Sequence, residues 1–380
     1  MPQNYKLDPS SPTMANIESL PVELLLMIVN EVKADGGLKA LRLVNPVFCM
    51  LVEPLLFTTV TFDSQGKYKI GTSLDMLKSI SNPHSRIAPY VQKLVIRCFD
   101  RLFSGDYRHV AEYGFVDVHQ IQQEFDTYLH SAVRCLPRLA SIRVSSGSAS
   151  LSPTELWTAL RTEKVHLKEI TIWSRMEPSF LEYLDSFSGI EELSIRRAWA
   201  SPEMHADRDI ADRLTSIIPK HKDTLRKLAV TAAEEGPWSF GIRNAGGYAQ
   251  CSKLQSLEVS MNCDDIMIND PHDSLAASLG VASQLPELTS LCLCTADSRN
   301  WGGSWGWMSQ QHEPLTITLM VNGIVHFLLP DDFRREIAVE IDGQVYKVGD
   351  EEASRPSHYS PTLDVEEVRR RQWEKHRSCF

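Results

Sequence analysis

The chain has 380 residues, of which 43% are hydrophobic and 23% charged, and its formal net charge at pH 7 is −10. These proportions are typical of a folded protein with room for a sizeable core. The acidic balance argues against a nucleic-acid surface, which needs concentrated basic residues, and no apolar run reaches the roughly 18 residues of a membrane span. The eight cysteines are scattered, which favours free thiols in a reducing compartment, so we expect the cytoplasm or the nucleus.

The segment SLPVELLLMIVNEV, residues 19–32, is richer in apolar residues than an ordinary surface helix. It follows a polar leader over residues 1–16, which we expect to be disordered. Pro21 suits the first position of a helix. On a helical wheel the apolar side chains then cover an arc of roughly 200°, about twice what packing on one core requires. Either the helix lies between two layers of its own domain, or half of the arc contacts a partner chain.

Three further short elements come next. GLKALRLVNP predicts a helix that ends at Asn45-Pro46, and VFCMLVEP predicts another that ends at Pro54. LLFTTVTF, residues 55–62, changes to a strand pattern. Three short helices in about 40 residues cannot enclose a core large enough for all these apolar faces. The helices must therefore lie against something else, which favours the partner chain.

These helices carry three motifs in order: L-P-x-E-L-L-x-x-I from Leu20, L-x-A-L-R-L-V-N from Leu38, and F-x-x-L-V-x-P-L-L-F from Phe48. Together they resemble the F-box in its fungal form, over residues 17–60. The resemblance implies docking on a Skp-type adaptor and, through it, membership of a cullin–RING ubiquitin ligase. The positions that match the family's adaptor-binding apolar residues are Leu20, Pro21, Leu24, Leu25, Ile28, Leu41, Leu43 and Val44.

Beyond the F-box an L-x-x-L-x-L pattern recurs seven times, with most of its central residues 23–35 positions apart. Those central residues are Leu94, Ile142, Ile170, Leu193, Leu228, Leu257 and Leu291. The pattern resembles the leucine-rich-repeat signature, in which each unit supplies one strand and one helix. Helical periodicity in the gaps predicts helices over residues 73–80, 120–133, 154–162, 179–187, 209–218 and 274–285. We expect an array over residues 61–300 whose neighbouring units share a core, with residues 99–115 inserted as a loop on the functional face.

A doubly wound α/β domain would also alternate strands and helices. No strand here is followed by G-x-G-x-x-G or a P-loop, which a nucleotide-binding version would need, and the recurrent motif favours the repeat interpretation. The predicted fold class is therefore α/β: a small three-helix F-box, then an irregular leucine-rich-repeat-like solenoid with a β-rich C-terminal cap.

The pattern changes in residues 301–348, which we interpret as a Trp-rich loop and a β-rich closing element. LTITLMV, residues 315–321, predicts a strand, and the alternation around Asp342-Gly343 predicts a hairpin. A closing element of this kind would cover the open end of the array. Residues 349–380 are predicted to be a polar tail that ends in a helix.

One segment has a catalytic appearance. GGSWG places Ser304 in the G-x-S-x-G pattern of a nucleophile elbow. That elbow requires a strand that runs directly into the turn, but eight residues separate Leu293 from Gly302, so we expect no hydrolase. No C-x-x-C pair exists, and we expect neither a metal site nor a cofactor.

Three tryptophans of the loop, Trp301, Trp305 and Trp307, are candidates either for client binding or for closing the end of the core. The expected function is the substrate-recognition subunit of a Skp–cullin–F-box ubiquitin ligase, with an unknown client protein and no enzymatic activity of its own. The alternative is a leucine-rich-repeat scaffold for protein–protein interaction outside any ligase.

Overall fold

The computed structural model describes residues 17, 20–63, 67–97, 118–145, 154–173, 176–198, 204–232, 236–261, 272–296, 316–324, 327, 337–341 and 343–348. Within them the chain is an α/β protein with a ten-stranded, mostly parallel sheet. The predicted leader, the loop at residues 99–115, the loop tryptophans, Ser304 and the C-terminal tail lie outside the described residues.

The first three helices form a small unit, residues 20–57, which we call the three-helix unit. Its helices are α1 (Val22–Ala34), α2 (Leu38–Leu41) and α3 (Pro46–Leu56). Asn45 caps α3 by accepting a hydrogen bond from the amide of Phe48 at 2.8 Å. The prediction that Pro54 ends this helix is wrong. Proline removes its own N–H and no other, and the amide of Phe57 still donates to the carbonyl of Glu53 at 3.0 Å.

Strands and helices alternate through the remainder, residues 59–348, which we call the strand–helix array. Its elements are β1 (Thr59–Asp63), α4 (Lys67–Ile80), β2 (Lys93–Arg97), α5 (Val118–Arg134), β3 (Ser141–Ser145), α6 (Thr154–Thr162), β4 (Glu169–Trp173), α7 (Pro178–Asp185), β5 (Glu192–Ala198), α8 (Met204–Ile217), β6 (Lys227–Ala232), α9 (Ile242–Ala249), β7 (Ser256–Met261), α10 (His272–Gln284), β8 (Ser290–Thr295), α11 (residues 316–324), β9 (Ile337–Ile341) and β10 (Gln344–Val348). Short 3₁₀ helices lie at Ala88–Tyr90 and Ile218–His221.

The order of the strands in the sheet is the order of the strands in the chain, and β1 to β9 are parallel to one another. A doubly wound sheet reverses its strand order at a switch point, and this sheet has no such reversal. Each helix from α4 to α10 packs against the next helix along the chain.

The central residues of the predicted repeats meet in one register across the sheet. Leu94 pairs with Ile142, and the same row continues through Ile170, Leu193, Leu228, Leu257 and Leu291. All of these side chains are buried, and all contribute to one hydrophobic core with the helices. The predicted strands are thus confirmed.

A second regular row, made of backbone carbonyls, lies where the strands begin. The carbonyl of Gln92 accepts from the amides of both Ala140 and Ser141 at 2.9 Å, and the carbonyl of Ala140 accepts from Lys168 and Glu169 at 2.8 and 3.1 Å. The same paired acceptance recurs at Thr58, Lys168, Glu191, Arg226 and Gln255. These strands therefore begin with the same backbone geometry, which satisfies amides that would otherwise be unpaired.

The structure differs from the sequence-based expectation at two helices. Residues 315–321 were predicted as a strand, but residues 316–324 form α11, and buried side chains at Ile317, Met320 and Ile324 define its helical face. Helix α9 was not predicted. The hairpin is confirmed: β9 and β10 pair antiparallel around a two-residue connection, and Gly343 has a φ of 78°.

Candidate protein-docking site

The three-helix unit has a small core of its own, separate from that of the array. The five buried side chains that form it are Leu25, Val29, Leu38, Phe48 and Val52. Leu20, Ile28 and Leu41 are half-buried and pack against it. This core accounts for the middle of the apolar arc of α1.

Both edges of that arc remain exposed. Leu24 on one edge is 44% exposed, and Val22 and Leu26 on the other are 50% and 42% exposed. Among the described residues, eleven large apolar side chains are exposed, and eight of them lie within residues 17–50. These eight are Ile17, Val22, Leu24, Leu26, Met27, Leu43, Val44 and Met50. An apolar surface concentrated in one short region is the usual mark of a protein-interaction site.

The predicted adaptor-binding residues fall into three groups by position. Leu25 lies in the core of the unit, where its side chain is not accessible to a partner. Leu20, Ile28 and Leu41 are half-buried. The exposed members are Pro21, Leu24, Leu43 and Val44.

Sequence reasoning missed five exposed apolar residues in this region: Ile17, which precedes α1, and Val22, Leu26, Met27 and Met50. Val22 and Leu26 lie on the predicted apolar arc and could have been selected from the wheel. Met27 lies outside the arc and Met50 is on another helix, so no periodic signal indicated them.

A buried carboxylate fixes the turn that carries Leu43 and Val44. Glu53 accepts a hydrogen bond from Nη2 of Arg42 at 2.9 Å, and the Sγ of Cys49 lies 3.4 Å from the same oxygen. Burial is the largest single effect on Glu53 and would raise its pKa, but the hydrogen bonds from Arg42 and Cys49, together with the charges of Arg86 and Arg42, outweigh it and the pKa is lowered. The Arg42 guanidinium also lies 5.1 Å from the ring centre of Phe57.

The same carboxylate connects the unit to the array. Its other oxygen lies 3.8 Å from the guanidinium of Arg86, which precedes β2. Glu53 thus holds the α2–α3 turn and contacts the array at once, so the exposed apolar residues lie on a supported surface.

The face of the sheet away from the helices is a second surface of interest, because it carries charged side chains. Arg196 on β5 forms an ion pair with Glu258 on β7, and both carboxylate oxygens take part. β6 lies between these two strands. The side chains therefore cross over β6, where the small residue Ala229, itself buried, leaves room for them.

The part of the chain that the structure describes contains few candidate catalytic or metal-binding groups. No group of three or more His, Cys, Asp or Glu side chains is placed there to hold a metal ion. Cys292 and Cys294 are half-buried on the face of the sheet away from the helices. Burial raises the pKa of Cys251 to about 12, so this thiol stays protonated at neutral pH.

No helix within the described residues has both the length and the apolar character needed to cross a membrane. None of the models of known protein families matches the chain, and no curated protein matches it either. The F-box resemblance therefore rests on the three motifs themselves and on the positions of their side chains.

Proposed function

We propose that the chain is the substrate-recognition subunit of a Skp–cullin–F-box ubiquitin ligase, and that the three-helix unit docks on the Skp-type adaptor. The observation that carries this proposal is the concentration of exposed apolar side chains within residues 17–50. A monomeric protein seldom exposes so much apolar surface in one place unless a partner covers it. The F-box motifs supply the identity of that partner.

The docking surface of this proposal is narrower than the motif match. Leu24, Leu43 and Val44 provide exposed apolar contacts, and Pro21 borders them at the start of α1. Leu25 instead holds the helices together. If one of the exposed leucines is a hot spot of about 2 kcal/mol, its loss weakens adaptor binding roughly 30-fold.

The proposal takes the strand–helix array as an irregular leucine-rich-repeat-like solenoid that binds a client protein. Its support is the chain-ordered sheet, the row of paired carbonyls and the succession of helix contacts. In this arrangement the chain does no covalent chemistry and needs no cofactor. It raises the local concentration of the client near the charged ubiquitin enzyme, in the cytoplasm or the nucleus. The loop tryptophans Trp301, Trp305 and Trp307 remain predicted client contacts.

Copurification with the Skp-type adaptor and a cullin tests the docking proposal. The double variant Leu24→Glu with Val44→Glu changes two exposed side chains, so we expect it to fold and to lose the adaptor. The matched control is Ile242→Glu with Val345→Glu, which alters two apolar residues of the array that are at least as exposed and should keep the adaptor. Adaptor binding by the first variant at the wild-type level would overturn the proposal.

The same experiment separates a ligase subunit from a scaffold. A cullin that copurifies with the wild-type chain, and is lost in the Leu24→Glu and Val44→Glu variant, supports the ligase. Recovery of the adaptor without any cullin would instead favour a scaffold that uses the adaptor alone.

A further inference from the structure

One large apolar side chain of the array is exposed on the face of the sheet away from the helices. Trp173, the last residue of β4, is 46% exposed. On this strand Ile170 and Ile172 are buried against the helices, so alternation places Glu169, Thr171 and Trp173 on the opposite face. Tryptophan is a costly residue to leave in water, and exposed tryptophans are frequent anchors of protein recognition.

The sheet register identifies the neighbours of this indole. Ser145 on β3 pairs with Trp173 directly. Arg143, two residues earlier on β3, pairs with Thr171 and so lies diagonal to Trp173. Arg196 follows Ile195, the partner of Ile172, and is therefore beside Trp173 on β5. Diagonal neighbours in a sheet are about 7–8 Å apart, within reach of long side chains.

The two arginines differ in their partners. Arg196 is occupied by the ion pair with Glu258. Arg143 is exposed and makes neither an ion pair nor a hydrogen bond among the described residues. Glu169 lies on the same face of β4 and is the other diagonal neighbour of Arg143, but no ion pair joins the two side chains. An exposed guanidinium without an ion pair therefore lies beside an exposed indole.

We propose that Trp173 and Arg143 bind an acidic segment of the client protein, with a carboxylate on Arg143 and an apolar side chain against the indole. A guanidinium binds a carboxylate through two parallel hydrogen bonds, and the hydroxyl of Thr171 provides a further donor beside it. A nucleic acid would need several such cations in a row, so a peptide is the occupant that this charge pattern fits. The inference rests on the proposed function, since it names the chemistry of the client.

The test measures the fluorescence anisotropy of a labelled peptide of aspartates around one phenylalanine, titrated with the full chain in the absence of adaptor. We expect binding that weakens at least about tenfold in Trp173→Ala and in Arg143→Ala, the loss of about 1.4 kcal/mol. Trp173→Phe should retain most of the affinity. A peptide with lysines in place of the aspartates should not bind.

The matched controls are Arg138→Ala and Ile242→Ala. Arg138 is an exposed arginine in the turn before β3, without a partner among the described residues, and Ile242 is an exposed apolar residue of α9. Both variants should bind the acidic peptide as the wild type does. The inference is overturned if the wild type does not bind the peptide, or if Trp173→Ala and Arg143→Ala bind it no more weakly than the controls. Adaptor copurification is measured separately, so this failure leaves the docking proposal standing.

Discussion

The three-helix unit and the strand–helix array are both rich in apolar residues, but they bury them to different extents. In the unit, five apolar side chains form the core while eight large ones within residues 17–50 are exposed. In the described part of the array, one core extends from Val60 to Ile341, and three large apolar side chains are exposed.

The difference follows from how each region can grow. A unit of about 40 residues has too much surface for its volume to enclose all its apolar faces. In the array each strand and helix is covered by the next, so that a repeating sequence buries a continuous core. Apolar surface left on a region that cannot grow is therefore available for a partner, whereas the array offers mainly the polar face of its sheet.

The largest expected effect comes from the shared core of the array. Leu193 is 2% exposed and lies in the middle of the row of central residues. Leu193→Ala should lower the free energy of unfolding by about 4 kcal/mol, because a cavity opens between two neighbouring units. Urea denaturation measures it. Thr171→Ala, on the other face of the adjacent strand, should change stability little. A loss under about 1 kcal/mol in Leu193→Ala would contradict a shared core.

Two adjacent leucines of α1 make the comparison within the unit. Leu25 is buried and Leu24 is exposed, so the substitutions are chemically identical. Leu25→Ala should destabilise the unit by about 3 kcal/mol, and Leu24→Ala by less than about 0.5 kcal/mol. Hydrogen exchange of the amides in α1 and α3 measures the local stability. Leu24→Ala should weaken adaptor binding although it hardly changes stability. Equal destabilisation by both variants would refute the distinction between core and surface.

Much of the array was predictable because one sequence pattern maps onto one row of the sheet. Parallel pairing at a fixed register keeps every second residue on the helix side, so Leu94, Ile142 and Leu257 occupy equivalent positions. Helix periodicity was sufficient for α6, whose predicted and observed bounds agree. Exposure within the unit was less predictable, since a wheel shows which residues are apolar and not which of them a neighbour covers.

Both helices that the sequence did not predict contain a glycine that lies close to a neighbouring helix. Gly247 lowers the helix propensity of the segment that forms α9. A Cβ at this position would lie 2.7 Å from Cγ2 of Thr215 on α8. Gly323 occupies a similar position in α11, where a Cβ would meet Cδ2 of Leu275 at 2.2 Å. At Gly247 the backbone carbonyl oxygen of Thr215 would also lie 2.8 Å from a Cβ, so glycine is required there, whereas at Gly323 the close atom is the end of a flexible leucine side chain. In α9 this tertiary requirement overrides the local preference that sequence reasoning uses.

The connection between the two regions can be broken at Glu53. This carboxylate is 4% exposed and contacts Arg42 in the unit and Arg86 before β2. Glu53→Gln should lower stability by about 2 kcal/mol, the value of a hydrogen bond to a charged group. Because the folded pKa of Glu53 is lowered, its contribution is present above the unfolded pKa and disappears as the pH falls through the folded one.

A surface pair provides the control for Glu53. Glu287 pairs with Lys253 at 2.5 Å, and both side chains are partly exposed. Glu287→Gln should leave stability almost unchanged because water screens such a pair. Equal effects of the two substitutions, measured by thermal unfolding at neutral pH, would show that Glu53 is no stronger a connection than a surface ion pair.

The smallest expected effect is an acid-dependent one within the array. His221 is 2% exposed, and its Nδ1 accepts the amide hydrogen of Ile190 at 3.4 Å. Burial lowers the pKa of His221, so below a pH of about 6.5 the unfolded chain takes up a proton that the folded chain does not. Stability should fall by about 1 kcal/mol in total as the pH decreases through this range. The slope for one proton is at most about 1.4 kcal/mol per pH unit.

His166 allows this contribution to be isolated, because it stacks on Phe187, the same ring that His221 contacts, but is itself exposed. Urea denaturation between pH 7 and pH 5 should give a shallower loss of stability for His221→Gln than for the wild type. The loss for His166→Gln should equal that of the wild type, because this substitution changes only an exposed side chain. The carboxylates titrate equally in both variants, so the difference between their slopes reports His221 alone. Identical slopes for the two variants would contradict this prediction. They would mean that the interior of the array accommodates a charged imidazole as readily as water does, against the cost of burying an unpaired charge.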